Sequence, residues 1–115
     1  ETMIYHELRV YNEVSRKQRP LHYYRTPAGV EIDFVIETAH RRPDSLPRVI
    51  AVEVKRAEKW DRAWEKPMRS LADNAGVTVE RMFGVYCGSR SYQFDNITVL
   101  PFADFIKTLF AGEVF

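Results

Sequence analysis

The sequence is poor in the features that announce most specialised chemistries. It carries one cysteine, Cys87, so no internal disulfide can form, and the chain suits a reducing compartment such as the cytoplasm. Its three histidines, His6, His22 and His40, are scattered, and even with the cysteine they lack zinc-ligand spacing. None of its five glycines belongs to a loop ending in Gly-Lys-Ser or Gly-Lys-Thr, so the chain itself offers no cradle for the phosphates of ATP. A Ser, His and Asp triad has no local support. Excess charge of one sign is missing too. With 17 basic and 16 acidic residues the net charge is +1, so any nucleic-acid binding must come from local clustering. No apolar run approaches membrane-spanning length, the N-terminus has no signal-peptide architecture, and there are no repeats or low-complexity tracts.

What remains is the composition of a folded domain. Hydrophobic residues make up 45% of the chain and charged residues 29%, which argues against disorder, and 115 residues suffice for a single domain with one core. The chain begins at Glu1 already inside a helical pattern, so the expectation is a piece of a longer protein.

Apolar residues at Met3, Ile4, Leu8, Tyr11 and Val14 predict a first helix over 2–17, with Glu7 at the edge of its buried stripe. The basic run 16–19 suits a helix C-terminus, and Pro20 stops the helix. Leu21 to Thr26 reads as a strand, and Pro27-Ala28-Gly29 as the turn of an antiparallel hairpin. The next two strands are Gly29 to Glu37 and Arg48 to Lys55, separated by a surface loop with two prolines. Residues 57–74 place Trp60, Trp64, Met68 and Leu71 on one helical face and Lys59, Arg62, Lys66 and Arg69 on the other. Pro67 leaves two arrangements open: Asp61 caps the helix and Pro67 kinks it, or the regular helix starts at Pro67 after an irregular entry. Val79 to Gly88 predicts a buried strand parallel to the third, reached by a crossover. Tyr92 to Leu100 gives an edge strand or two short extended pieces. Pro101 then opens a last helix with Phe102, Phe105, Ile106 and Leu109 inward.

Strict strand alternation puts Asp33 on a face with Glu31 and Val35, and Glu53 on a face with Ala51 and Lys55. The opposite faces read Val30, Ile32, Phe34, Ile36 and Ile50, Val52, Val54. Two carboxylates on adjacent strands supply hard oxygen ligands for a Mg2+ or Mn2+ ion that keeps several waters, which makes Asp33 and Glu53 the candidate metal ligands. Such an ion can polarise a phosphoryl oxygen and activate a water, and Lys55 could orient that water or neutralise developing charge. Glu7 could complete the shell directly or through water. The plainer reading of Asp33, Glu53 and Lys55 is a cross-strand ion-pair cluster on a solvated face. The basic row Lys59, Arg62, Lys66 and Arg69 is the candidate nucleic-acid contact, with a simple solvated face as its counterpart.

These residues, Glu7, Asp33 and Glu53-Val54-Lys55, resemble the PD-(D/E)XK nuclease superfamily. More narrowly, Tyr24-Arg-Thr-Pro-Ala-Gly-Val-Glu-Ile-Asp-Phe34 followed by Ala51-Val-Glu-Val-Lys55 is similar to the C-terminal domain of uncharacterised function found in prokaryotic AAA-superfamily ATPases. The resemblance implies an α/β fold with an αβββαβ restriction-endonuclease-like core, a mixed β-sheet flanked by helices. It also implies that any ATP chemistry belongs to an upstream ATPase domain, and that Glu7, Asp33, Glu53 and Lys55 form the catalytic set of a metal-dependent hydrolase of nucleic acid. One departure is that the first acid follows Glu31-Ile32 rather than a proline. The rival expectation is a module that attaches the ATPase to nucleic acid or protein and cuts nothing.

Overall fold

The computed structural model describes residues 2–25, 27, 29–38, 46–74 and 76–115. The elements in chain order are α1 (Thr2–Ser15), β1 (Leu21–Arg25), β2 (Glu31–Glu37), β3 (Arg48–Val54), a 3-10 turn (Arg62–Glu65), α2 (Lys66–Asn74), β4 (Thr78–Tyr86), β5 (Tyr92–Phe94), β6 (Ile97–Pro101) and α3 (Phe102–Phe110). The six strands form one mixed sheet in the order β1-β2-β3-β4-β6-β5. The β1/β2, β2/β3 and β5/β6 pairs are antiparallel, and the β3/β4 and β4/β6 pairs are parallel. This is the α/β architecture the sequence predicts, with α1-β1-β2-β3-α2-β4 as its core order. The predicted loop between β2 and β3 falls largely on residues 39–45, outside the described residues, as do Thr26 and Ala28 of the predicted hairpin turn.

Both faces of the sheet are covered. On one, α1 and α3 bring Ile4, Leu8, Phe105 and Leu109 onto Phe34, Ile36, Ile50, Val52, Phe83 and Val85. On the other, Met68 and Leu71 of α2 lie over Val35, Ala51, Met82 and Val99. The β3-to-β4 crossover carries α2, and a parallel pair needs such a covering helix. Residues 49–53 are therefore buried without interruption. The face that bears Ala51 and Glu53 is not the solvated one of the plainer sequence reading, because α2 and its entry segment close it.

Local details depart from the sequence reading where a neighbour intervenes. Helix α1 ends at Ser15 rather than 17, because Arg16 and Gln18 take positive φ (59° and 52°). The Asn12 side chain holds that turn, donating to the Arg19 carbonyl at 2.6 Å and accepting from the Arg19 amide at 2.8 Å. Met3 and Val14, predicted to be inward, are exposed, so the buried stripe narrows to Ile4, Leu8 and Tyr11. Of the two arrangements at Pro67, the irregular entry is the observed one. Asp61 accepts the Ala63 amide at 2.9 Å to cap a 3-10 turn, and α2 starts at Lys66 with Pro67 in its first turn, where a missing N–H costs nothing. The segment 92–101 is two strands, and β6 is inserted between β4 and the edge strand β5. Among the described residues no helix is long and apolar enough to cross a membrane.

Candidate functional site

Asp33 owes its position to an irregularity in β2. His22 pairs with Val35 and Tyr24 with Ile32, so the single residue Tyr23 of β1 faces two residues of β2, Asp33 and Phe34. That is a β-bulge, a device that re-aims a side chain and is frequent beside active sites. Its effect is visible in the packing: Ile32 joins Val35 on the α2 face, while Phe34 and Ile36 face α1 and α3. The predicted row Ile32, Phe34, Ile36 is thus broken, since one extra residue inverts the alternation beyond it. The Asp33 carboxylate lies over the seam between β2 and β3, where Oδ2 accepts the Val54 amide at 2.8 Å. Asp33 also lines a shallow groove of about 320 Å³ with Tyr5, Tyr23 and Phe34.

Glu53 stands next to that contact on β3. The last paired residues of the β2/β3 ladder are Phe34 and Val52, so Asp33 and Glu53 occupy the following positions on the two strands. Val52 packs toward α1 and α3, so alternation turns Glu53 and Lys55 toward the α2 face. Glu53 is 4% exposed, and its Oε1 lies 3.8 Å from Lys55 Nζ. Lys55 continues the parallel ladder, its amide donating to the Val85 carbonyl at 2.8 Å, and its ammonium sits 5.7 Å from the ring centre of Trp64. Asp33 therefore reaches Val54 from the side of the sheet where it lines the groove with Tyr5 of α1, while Glu53 and Lys55 turn toward the α2 face, so the two carboxylates do not share one face as strict alternation predicts.

Glu7 is half-buried on α1, the helix that covers the opposite face, and it makes no ion pair or hydrogen bond among the described residues. The fold brings Asp33, Glu53 and Lys55 to one neighbourhood and does not tie Glu7 to them. Among the described residues no group of three or more His, Cys, Asp or Glu side chains is placed to hold a metal ion. The candidate oxygen donors are Asp33, whose Oδ1 lies outside the Val54 hydrogen bond, and Glu53, which turns toward the α2 face. An ion held by two carboxylates completes its shell with water, the habit of Mg2+.

A family model described as a domain of unknown function, DUF4143, matches residues 1–105. The chain belongs to this family. No curated protein and no solved structure matches it. The DUF4143 match takes in Glu7, Asp33, Glu53 and Lys55 and every element as far as the middle of α3.

The basic row of the DUF4143 domain divides in two. Lys59 and Lys66 are exposed, and neither forms an ion pair among the described residues. Arg62 and Arg69 instead turn toward Glu65, which is 1% exposed. Arg69 Nη2 donates to Glu65 Oε1 at 2.9 Å, Trp60 Nε1 donates to Oε2 at 2.9 Å, and Arg62 reaches both oxygens at 3.4 Å. Burial alone pushes the Glu65 carboxyl up, but the hydrogen bonds from Trp60, Arg69 and Arg62 and the charge of Arg62 outweigh it and hold the carboxyl below its usual value. Arg62 also stacks on Phe94 at 4.2 Å, joining the 3-10 turn to β5. Sequence reasoning missed Glu65. The available signal was its position between two arginines, Arg62 and Arg69, at i−3 and i+4.

Proposed function

We propose that this domain is a nuclease-like module that hydrolyses phosphodiester bonds of nucleic acid with Mg2+ or Mn2+. The observation that carries the reading is the bulge at Asp33, which sends one carboxylate across to Val54 while Glu53 and Lys55 flank that residue on β3. Asp33 and Glu53 would hold the ion. When bound, it would supply Lewis acidity toward a phosphoryl oxygen and a water of lowered pKa. The chain's own residues have separable tasks. The Val54 amide fixes the Asp33 carboxylate, and the buried Glu53 is steadied by Lys55. The Lys55 ammonium faces the negative charge that builds on the phosphoryl oxygens as water adds to phosphorus and that leaves with the departing oxygen. Lys59 and Lys66 are the basic side chains that would reach the backbone of the substrate. In this reading ATP acts only through an upstream ATPase domain.

A second reading is a non-catalytic module that binds nucleic acid or protein for such an ATPase. It is favoured by one observation: Arg62 and Arg69 pair with the buried Glu65, so two of the four residues of the predicted nucleic-acid contact are engaged in holding the fold.

Manganese calorimetry, oligonucleotide cleavage and a thermal melt on wild type, Glu53→Ala and Lys55→Ala separate the two. Under the nuclease reading Glu53→Ala abolishes metal binding and cleavage together. Lys55→Ala keeps metal affinity, or raises it by removing repulsion, while cleavage falls about 100-fold, the scale of one preorganised electrostatic contact. Wild-type protein that binds no manganese at millimolar concentration, with a Lys55→Ala variant that melts well below it, leaves a structural ion pair and the binding module.

A further inference from the structure

The buried Glu65 and the two tryptophans have no task in the hydrolysis described above, yet they lead contact by contact to Lys55. The Glu65 carboxylate is anchored by the indole N–H of Trp60 and by Arg69, each at 2.9 Å. Trp60 packs directly on the backbone of β4 at Gly84, where an added Cβ would lie 2.5 Å from the six-membered part of the indole. Only a glycine admits the ring there. Trp64 stands edge-on to Trp60, with ring centres 5.2 Å apart and planes at 83°, and its amide donates to the Asp61 carbonyl at 3.0 Å. The Lys55 ammonium then lies 5.7 Å from the Trp64 ring centre and 3.8 Å from Glu53 Oε1. A lysine head is a compact charge on a flexible four-carbon stem, so its place is set by what surrounds it. Here a carboxylate stands on one side and an aromatic face on the other, and the ring quadrupole attracts the cation.

We propose that Trp64 is a positioning residue for Lys55: its ring, fixed through Trp60 to the buried Glu65 carboxylate, holds the Lys55 ammonium beside Glu53. Only the consequence for cleavage rests on the nuclease reading. The positioning itself is a property of the folded chain and is measured without metal or substrate.

The test is nuclear magnetic resonance of the Lys55 side-chain methylenes in the whole 115-residue chain, for wild type, Trp64→Phe and Trp64→Leu. In wild type the methylenes beside the ammonium are shifted upfield by the indole ring current, and they give a nuclear Overhauser contact to the Trp64 ring. Trp64→Phe keeps a reduced upfield shift, and Trp64→Leu loses it, with shifts at the neighbouring Trp60 and Glu53 but none at Phe83 and Phe105 in the core on the other face of the sheet. With manganese and an oligonucleotide, Trp64→Leu lowers kcat about fivefold, the scale of a partly exposed cation–π contact, with KM and manganese affinity unchanged, and Trp64→Phe recovers most of the loss. Absence of a Lys55 to Trp64 contact in the wild-type spectrum overturns the proposal. That measurement needs no variant, so a Trp64→Leu protein that fails to fold does not protect it. Equal Lys55 shifts in wild type and Trp64→Leu overturn it as well. A wild-type domain that cleaves nothing with any divalent ion removes the nuclease reading and leaves the Lys55 resonances to decide the positioning.

Discussion

Glu65→Gln preserves shape and removes charge, and the structure sets what that is worth. The carboxylate is 1% exposed and accepts from Trp60 and Arg69 at 2.9 Å and from Arg62 at 3.4 Å. The glutamine carbonyl can still accept, but its NH2 group meets guanidinium donors that have no lone pair to offer. At least one charge-assisted bond is lost. Such bonds contribute about 1.5–3 kcal/mol, and the lower part of that range applies because Arg69 and Arg62 are 35% and 56% exposed, so water resolvates both heads. The expected loss is about 2 kcal/mol at neutral pH, a fall in Tm of about 8 °C for a domain of this size. The pH dependence follows from the lowered carboxyl. Its folded-state pKa lies below the 4.5 of the unperturbed group, so the contribution is full above that value and is lost as pH falls through the folded one. Urea denaturation of both proteins from neutral pH into the acid range measures the gap, which should narrow as pH drops below about 4. A gap under about 0.5 kcal/mol at neutral pH, or one that stays constant in acid, would refute the assignment of Glu65 as a charged anchor.

Gly84→Ala forces a Cβ into the Trp60 ring and should cost about 1–3 kcal/mol by overpacking, read by urea denaturation; an unchanged midpoint would mean that Trp60 does not sit on β4. Phe83, fully buried under Phe105, should lose about 3–5 kcal/mol as Phe83→Ala, and a smaller loss would place the core elsewhere. If Lys59 and Lys66 contact phosphate, replacing both by Ala should reduce the slope of log affinity for duplex DNA against log salt by about 0.9 per contact. An unchanged slope would leave them as solvated side chains.

Much of the fold is written locally. The period of Ile4, Leu8 and Tyr11 makes α1, the alternating and then continuous apolar runs make β2 and β3, and a strand that returns after a crossover must lie parallel to β3, as β4 does. The residues Asp33, Glu53 and Lys55 could be named as candidates from their order in the chain, because antiparallel pairing sets the start of β2 beside the end of β3. Their directions could not. The bulge at Asp33 exists only because Tyr23 of β1 faces two residues of β2, and that single unpaired residue moves Ile32 to the other face. Glu53 is buried rather than solvated because the segment entering α2 folds back over its face: Trp60 lies on Gly84, the β4 partner of Glu53, and Trp64 lies beside Lys55. Glu65 belongs to a stretch whose charge reads as surface, and it becomes an anchor only where Trp60, Arg62 and Arg69 converge on it. Side-chain period is a property of one segment and survives in the sequence. Register, bulges and the partner of a buried charge are properties of two segments at once, and only their meeting in the tertiary structure decides them.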